Sequence, residues 1–357
     1  MVPCGGTPSA TPVDAMRFRL SFPRLCRTLT ALTGAALVAC SGSGGGPAGP
    51  DPLSSRDGGA SLTYQGQVQD QRSGAPLAGI RVSGGGTSAW TDGGGRFALV
   101  AAEGAELTFV GAGYYDRVTP LEGASGSFAI VPRSFDMDAF NDVGRDYSSG
   151  TVRWLSSPDV YVDVRAHNFE SGQSVPAAWV EQVASLAPQF LSRWTGGALS
   201  ARSVTVGTTP PTAGTPGTLI IAFDEDASRY PSGASVGVTI ASWDTGGVIR
   251  NASVRLRFSG LTGDAAAFSR QAVLGHEIGH AVGLAHMDGA TSSMMAPVVR
   301  TPELTTFDLA AGALLYDRRP GTRADDREAA SGLRAALVPS ATASSGVICD
   351  VELEVGR

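Results

Sequence analysis

The run His276-Glu277-Ile278-Gly279-His280-Ala281-Val282-Gly283-Leu284-Ala285-His286 holds three of the four histidines in a chain of 357 residues. A helix over 269–282 puts His276 and His280 at i and i+4, so both imidazoles leave one face and can grip a single ion. Glu277 can lean over the same ion without ligating it, where a general base acting on water would stand. Gly283 can take the positive φ that ends a helix and reverses the chain, and the turn brings His286 back. Three neutral imidazoles leave a fourth tetrahedral position open, the arrangement of a catalytic rather than a structural zinc.

His276, Glu277, His280, Gly283 and His286 match the extended H-E-x-x-H-x-x-G-x-x-H signature, and the segment resembles the metzincin zinc metallopeptidases. That resemblance implies a methionine turn downstream, and Ser293-Met294-Met295-Ala296-Pro297 is similar to the turn of the matrixin branch. Met295, two residues before the proline, is the expected methionine beneath the metal, with Met294 as the alternative. Ala296 and Pro297 stand where some metzincin branches carry a tyrosine, so no tyrosine ligand is expected. The resemblance implies one catalytic Zn²⁺ held by His276, His280 and His286, with Glu277 as general base and acid in peptide hydrolysis.

The surrounding sequence reads as an α+β unit. Runs 151–155, 160–165, 204–207 and 219–223 look like short strands, and 175–194 is amphipathic, with Val180, Val183, Ala184, Ala187, Phe190 and Leu191 at helical spacing. The metzincin-like catalytic domain is expected over 134–320, with a twisted mixed sheet, an active-site helix, a Met-turn and a C-terminal helix. In 248–258, Val254, Leu256 and Phe258 alternate with Arg255 and Arg257, as on a half-exposed strand. Metzincins bind substrates extended along an edge strand, which implies a peptide paired between Ile249 and Arg255. An ordinary edge with its arginines in water fits the same pattern. Run 305–316 reads as a helix started by Thr305 or Thr306, with Leu309, Ala313 and Leu314 on one face and Asp308 able to bond back toward the Met-turn. Residues 298–302 are expected to shape the pocket beyond the scissile bond.

At the other end, Arg17, Arg19, Arg24 and Arg27 precede about a dozen apolar or small residues, too few to span a bilayer, which takes about 20. This is an export signal over 1–39, with Met16 as a candidate true start. Leu37-Val38-Ala39-Cys40 resembles a bacterial lipobox, which implies cleavage before Cys40 and a lipid on its thiol. Residues 40–60 are Gly-, Ser- and Pro-rich, a flexible tether. The protein is therefore expected outside the cytoplasm, as a lipoprotein on the outer membrane or cell surface, or secreted. Cys4 and Cys26 would leave with the signal and Cys349 would remain, so no internal disulfide is expected.

Between tether and catalytic unit, 61–133 has glycine-marked turns between short alternating strands, including Gly66-Gln67-Val68-Gln69-Asp70 and Gly95-Arg96-Phe97-Ala98-Leu99. It resembles a carboxypeptidase-regulatory-like or transthyretin-like module, which implies a small all-β Greek-key sandwich. Residues 321–357 read as a C-terminal tail. Asp224, Glu225 and Asp226 cluster in a loop where the matrixin resemblance allows structural Ca²⁺, although no EF-hand spacing is present and a solvated turn fits as well. His167 with Asp163 could assist a structural zinc, or His167 could be a surface or packing residue. All 27 basic residues are arginine, against 33 acidic ones, for a net charge of −6. Loss of the arginine-rich signal makes the mature chain more acidic still, which argues against nucleic acid as a partner. The expected function is a zinc-dependent endopeptidase acting on extracytoplasmic proteins. Two alternatives remain open: a cell-surface binding protein with a structural or inactive metal site, and a zinc hydrolase acting on a non-protein amide.

Overall fold

The computed structural model describes residues 61–145, 150–230, 235–259, 261, 265–287, 292–299, 301–323, 325–327 and 344–353, with Ser61 and 344–353 described by backbone alone. The expected export signal with Cys4 and Cys26, the expected lipidation site Cys40 and the expected tether lie outside the described residues.

Strands β1 (Ser61–Asp70), β2 (Arg81–Gly84), β3 (Thr87–Trp90), β4 (Arg96–Ala102), β5 (Glu106–Val110), β6 (Asp116–Pro120) and β7 (Ser125–Ile130) build two sheets. One has the order β4-β1-β7, and the other carries β6-β5-β2-β3. Period-2 alternation drives this. In β4, Phe97, Leu99 and Ala101 are buried while their neighbours face water. These meet Tyr64, Val68, Phe109 and Phe128 in a shared core, with the Phe109 and Phe128 rings 4.7 Å apart. The sheets are not wholly antiparallel, since β1 pairs with β7 in parallel.

Helix α1 (Met137–Gly144) follows, then β8 (Asp159–His167), α2 (Ala177–Trp194), β9 (Ser203–Gly207), β10 (Thr218–Asp224), β11 (Ser235–Trp243), β12 (Ile249–Leu256), α3 (Ala266–Ala281), β13 (Val298–Val299), α4 (Thr306–Asp317), β14 (Asp326–Arg327) and β15 (Ser344–Leu353). A seven-stranded sheet has the order β13-β15-β11-β12-β10-β8-β9. Strands β9, β8, β10 and β12 run parallel, and β11 reverses against β12. Helix α2 buries Val183, Ala187, Phe190, Leu191 and Trp194, a stripe at helical spacing, against the core shared with the sheet.

Four expectations are corrected. Residues 151–155 form no strand, only an isolated bridge from Arg153 to Val248. Leu309 lies 38 % exposed, and α4 buries the expected Leu314 together with Ala311 and Leu315. The stretch from Ile249 to Arg255 is not an edge, because β12 is paired on one side with β10 and on the other with β11. Arg255 is half-exposed because one face of the sheet is open there. Finally, the described residues within 321–357 form no separate tail, since β14 joins β6 and β15 joins β11.

Buried charge ties these parts together. Arg318 is fully buried and grips Asp326 through Nε (2.8 Å) and Nη2 (2.6 Å), while Arg145 reaches the same carboxylate at 2.8 Å. Burial alone would raise Asp326, but the two guanidinium groups outweigh it and hold the carboxyl down at about 2. Arg117 on β6 bonds Asp317 at 2.7 Å, joining the sandwich to the end of α4.

Candidate metal centre and active site

Helix α3 carries His276 and His280 one turn apart, and both are fully buried. It ends as the spacing requires. Gly283 has φ +107°, and a Cβ there would sit 1.9 Å from the Val152 carbonyl oxygen. Only glycine can hold that turn. The following bonds, Gly283 N to His280 O (2.9 Å) and Leu284 N to Gly279 O (3.0 Å), fold the chain back toward His286. The three rings then surround one point, with centroids 4.5 Å (276–280), 5.1 Å (276–286) and 4.9 Å (280–286) apart.

The outer nitrogens decide which inner ones are free. His276 Nδ1 donates to the Met294 carbonyl at 2.5 Å, and His280 Nδ1 donates to the Leu284 carbonyl at 2.7 Å. Those bonds fix the tautomers and turn both Nε2 atoms inward as acceptors. His276 Nε2 lies 3.1 Å from His286 Nε2, while His280 Nε2 is buried without a hydrogen-bond partner. A buried, orphaned acceptor is costly unless something fills its direction. One ligand atom from each histidine lies within 4.8 Å of the others, and among the described residues this triad is the grouping that could hold a metal ion. Tetrahedral nitrogens at about 2.0–2.1 Å from zinc stand about 3.3 Å apart, so the donor set fits that ion with small adjustment.

Electrostatics agree. Burial, together with the His280 and His286 rings, pushes His276 far below the ordinary imidazole range despite its bond to Met294. Burial and His286 bring His280 down to about 3. Both rings are neutral at ordinary pH, the form that ligates.

Glu277 is fully buried beside them. Its Oε2 accepts from the Thr239 hydroxyl at 2.5 Å, and that hydroxyl also lies 3.1 Å from the Glu277 carbonyl oxygen. Gly237, two residues earlier on β11, leaves the room, since a Cβ there would come 2.3 Å from Glu277 Oε1. Strand β11 therefore seats the carboxylate from outside α3.

Both methionines pack on α3 where it lacks side chains. A Cβ on Gly279 would meet Met295 Sδ at 2.4 Å, and one on Gly275 would meet Met294 Sδ at 2.6 Å. Met295 thus lies next to His280, and its carbonyl accepts from Met287 N at 2.9 Å, beside His286. Asp308 anchors the turn. It accepts from Ser293 Oγ at 2.5 Å, Met294 N at 3.0 Å and Thr305 N at 2.9 Å, while Thr305 caps α4 in return. Tyr316 packs at the end of α3, its hydroxyl donating to Val282 O at 3.0 Å.

The remaining candidates stand apart from the triad. His167 Nε2 bonds Asp163 at 3.0 Å, and Arg165 shares that carboxylate. In the acidic loop, Asp224 accepts from Asn168 at 2.7 Å, Glu225 takes the Phe258 and Ser259 amides, and Asp226 caps the 3-10 turn Ala227–Arg229. These carboxylates meet protein donors. Thr239 and Gly237 escaped the sequence reading altogether, although the β-branched alternation of Val236, Val238 and Ile240 before an Asp244-Thr245-Gly246-Gly247 turn was a usable signal.

Among curated proteins none matches the chain. One solved structure with some similarity, a membrane-associated protein of unknown function from Bacteroides fragilis, is 13 % identical with a TM-score of 0.17. The match covers 38 % of this chain and 45 % of that one, a likeness too slight to carry an argument. The matrixin model of the M10 peptidases matches residues 201–315, from just before β9 to the last turn of α4, and supports a matrixin-like metallopeptidase domain around the triad.

Proposed function

We propose that the chain is a zinc-dependent endopeptidase that hydrolyses extracytoplasmic proteins, with His276, His280 and His286 holding the ion and Glu277 moving the proton. One observation carries this: three imidazoles converge on one point with a buried carboxylate beside them. Zinc, when bound, supplies Lewis acidity that polarises a carbonyl and acidifies water. Glu277 takes the proton of the attacking water and delivers it to the leaving amine. Thr239 and Gly237 keep its carboxylate in place, and Gly283 and Met295 shape the floor of the site.

A peptide extended along β11 would pass the strand that seats Glu277, and we place the substrate backbone there rather than on β12. The export signal and Cys40 support attachment to a membrane from the outside through a lipid. Among the described residues no helix is long and apolar enough to cross a membrane. Calcium is not part of the proposal, nor is nucleic acid. Incubating the zinc-loaded protein with a denatured proteome tests it: new peptide termini are expected. Stoichiometric zinc without any cleavage would favour a binding protein or a hydrolase of non-protein amides.

A further inference from the structure

The strand that seats Glu277 is already occupied. β15 pairs antiparallel with β11 along its whole length, from Ser235 opposite Glu352 to Trp243 opposite Ser344. The far end of β15 also pairs in parallel with β13, with Val298 opposite Glu352 and Val299 opposite Leu353. β13 begins three residues after Met295. Ser344–Leu353 therefore runs between the strand that holds Glu277 and the segment leaving the methionine turn, and it lies against α3, the helix of the ligands.

The register sharpens this. Val238 faces Asp350, but Thr239 faces Ile348, so Cys349 is an extra residue in β15. That bulge falls at the point of β11 from which Thr239 reaches Glu277. A bulge takes one peptide unit out of the ladder and bends the strand. Apart from this bulge and a second one at Val236 of β11, the backbone groups that β11 would offer an incoming peptide are spent on the chain itself, and a sheet edge accepts one strand at a time.

We infer that Ser344–Leu353 is an autoinhibitory strand, which fills the peptide-binding edge of β11 and must leave before a substrate backbone can pair there. The inference rests on the peptidase reading for its consequence, though the occupancy itself concerns only backbone pairing. Peptides able to displace it are extended ones that can run antiparallel to β11 and parallel to β13. The bulge keeps β15 uncut, because no regular peptide unit is presented beside Glu277.

The test compares the full chain, a chain ending at Ala343, and the full chain with Val347→Pro and Val351→Pro, which breaks β15 pairing should the shortened chain fail to fold. Each is loaded with zinc, assayed for metal content, and given a denatured protein. The expected result is one zinc per chain in all, at least tenfold faster cleavage when β15 is removed or broken, and competitive inhibition by a synthetic peptide of residues 344–357. Equal cleavage by folded, zinc-loaded forms overturns the proposal, as does self-cleavage within 344–353 found by mass measurement. If no form cleaves anything, the peptidase reading fails, and binding is read directly. Micromolar binding of the labelled 344–357 peptide to the unblocked form, at least tenfold weaker to the full chain, upholds the occupancy, and equal or absent binding overturns it.

Discussion

The Thr239 hydroxyl donates to the Glu277 carboxylate at 2.5 Å, from a strand outside the zinc-motif helix. In the proposed mechanism Glu277 is then only half of the proton-transfer arrangement, the other half being the hydroxyl that orients it. Thr239→Val is expected to keep zinc and the fold but to lower kcat about 10- to 100-fold with little change in KM, as losses of orienting partners do. Thr239→Ser, which keeps the donor, should restore most of it. Steady-state kinetics on a fluorogenic peptide, alongside metal analysis, reads the difference, and an unchanged kcat in the valine variant would remove Thr239 from the mechanism.

Gly283→Ala should be among the most damaging single changes. The residue sits at φ +107°, and its added methyl would strike the Val152 carbonyl at 1.9 Å. Backbone strain at such a site costs about 1–3 kcal/mol, and the clash adds to it. Urea denaturation should show a loss of at least that size. His286 would also be displaced, so zinc affinity should fall as well, and normal affinity in a folded variant would contradict the role given to the turn.

Asp308→Ala removes the acceptor of three donors around the methionine turn. Buried donors left unsatisfied cost about 1–3 kcal/mol each at most, partly recovered by relaxation, so a net loss of about 2–4 kcal/mol is expected. Because Met294 O orients His276, zinc affinity should drop too, which competition with a chromophoric chelator measures. Asp308→Asn should lie between, since it keeps one acceptor.

Metal-free protein should lose stability in acid for a reason located in the triad. His280 is held at about 3 and His276 is also depressed, whereas unfolded histidine titrates near 6.5. The unfolded chain therefore takes up protons first. The stabilising contribution is complete above about pH 6.5 and is lost as pH falls toward 3, by about 1.4 kcal/mol per pH unit for each such histidine. Urea midpoints of the stripped protein should hold from pH 8 to about pH 6.5 and fall from there to pH 4, and His280→Gln should flatten the fall.

How much of this was readable without a structure depends on the physics of each part. Metal chemistry restricts both residue type and spacing, so His276, His280, Gly283 and His286 declared themselves. Local capping did the same for α4, where Thr305 and Asp308 close a capping box. Helix α2 was legible from the Val183 to Leu191 stripe. The edge was misplaced because alternation reports which face of a strand is open, not whether its sides are paired. Arg255 and Arg257 reach solvent from the face of an interior strand and its extension. Strand β11 went unread although Val236, Val238 and Ile240 alternate in it, because glycine and small residues, Gly237 and Ala241 among them, interrupt its apolar pattern. The pairing of β15 was illegible for a different reason, as its main partner, β11, lies more than a hundred residues earlier and nothing local announces the pairing.

Zinc content and peptide cleavage measured together on Glu277→Gln and His280→Ala test the proposed chemistry most directly. One zinc per chain with cleavage reduced by at least 100-fold is expected for Glu277→Gln, and loss of both for His280→Ala. Full cleavage by Glu277→Gln, or by either protein after exhaustive chelation, would contradict a zinc-dependent peptidase with Glu277 as its base.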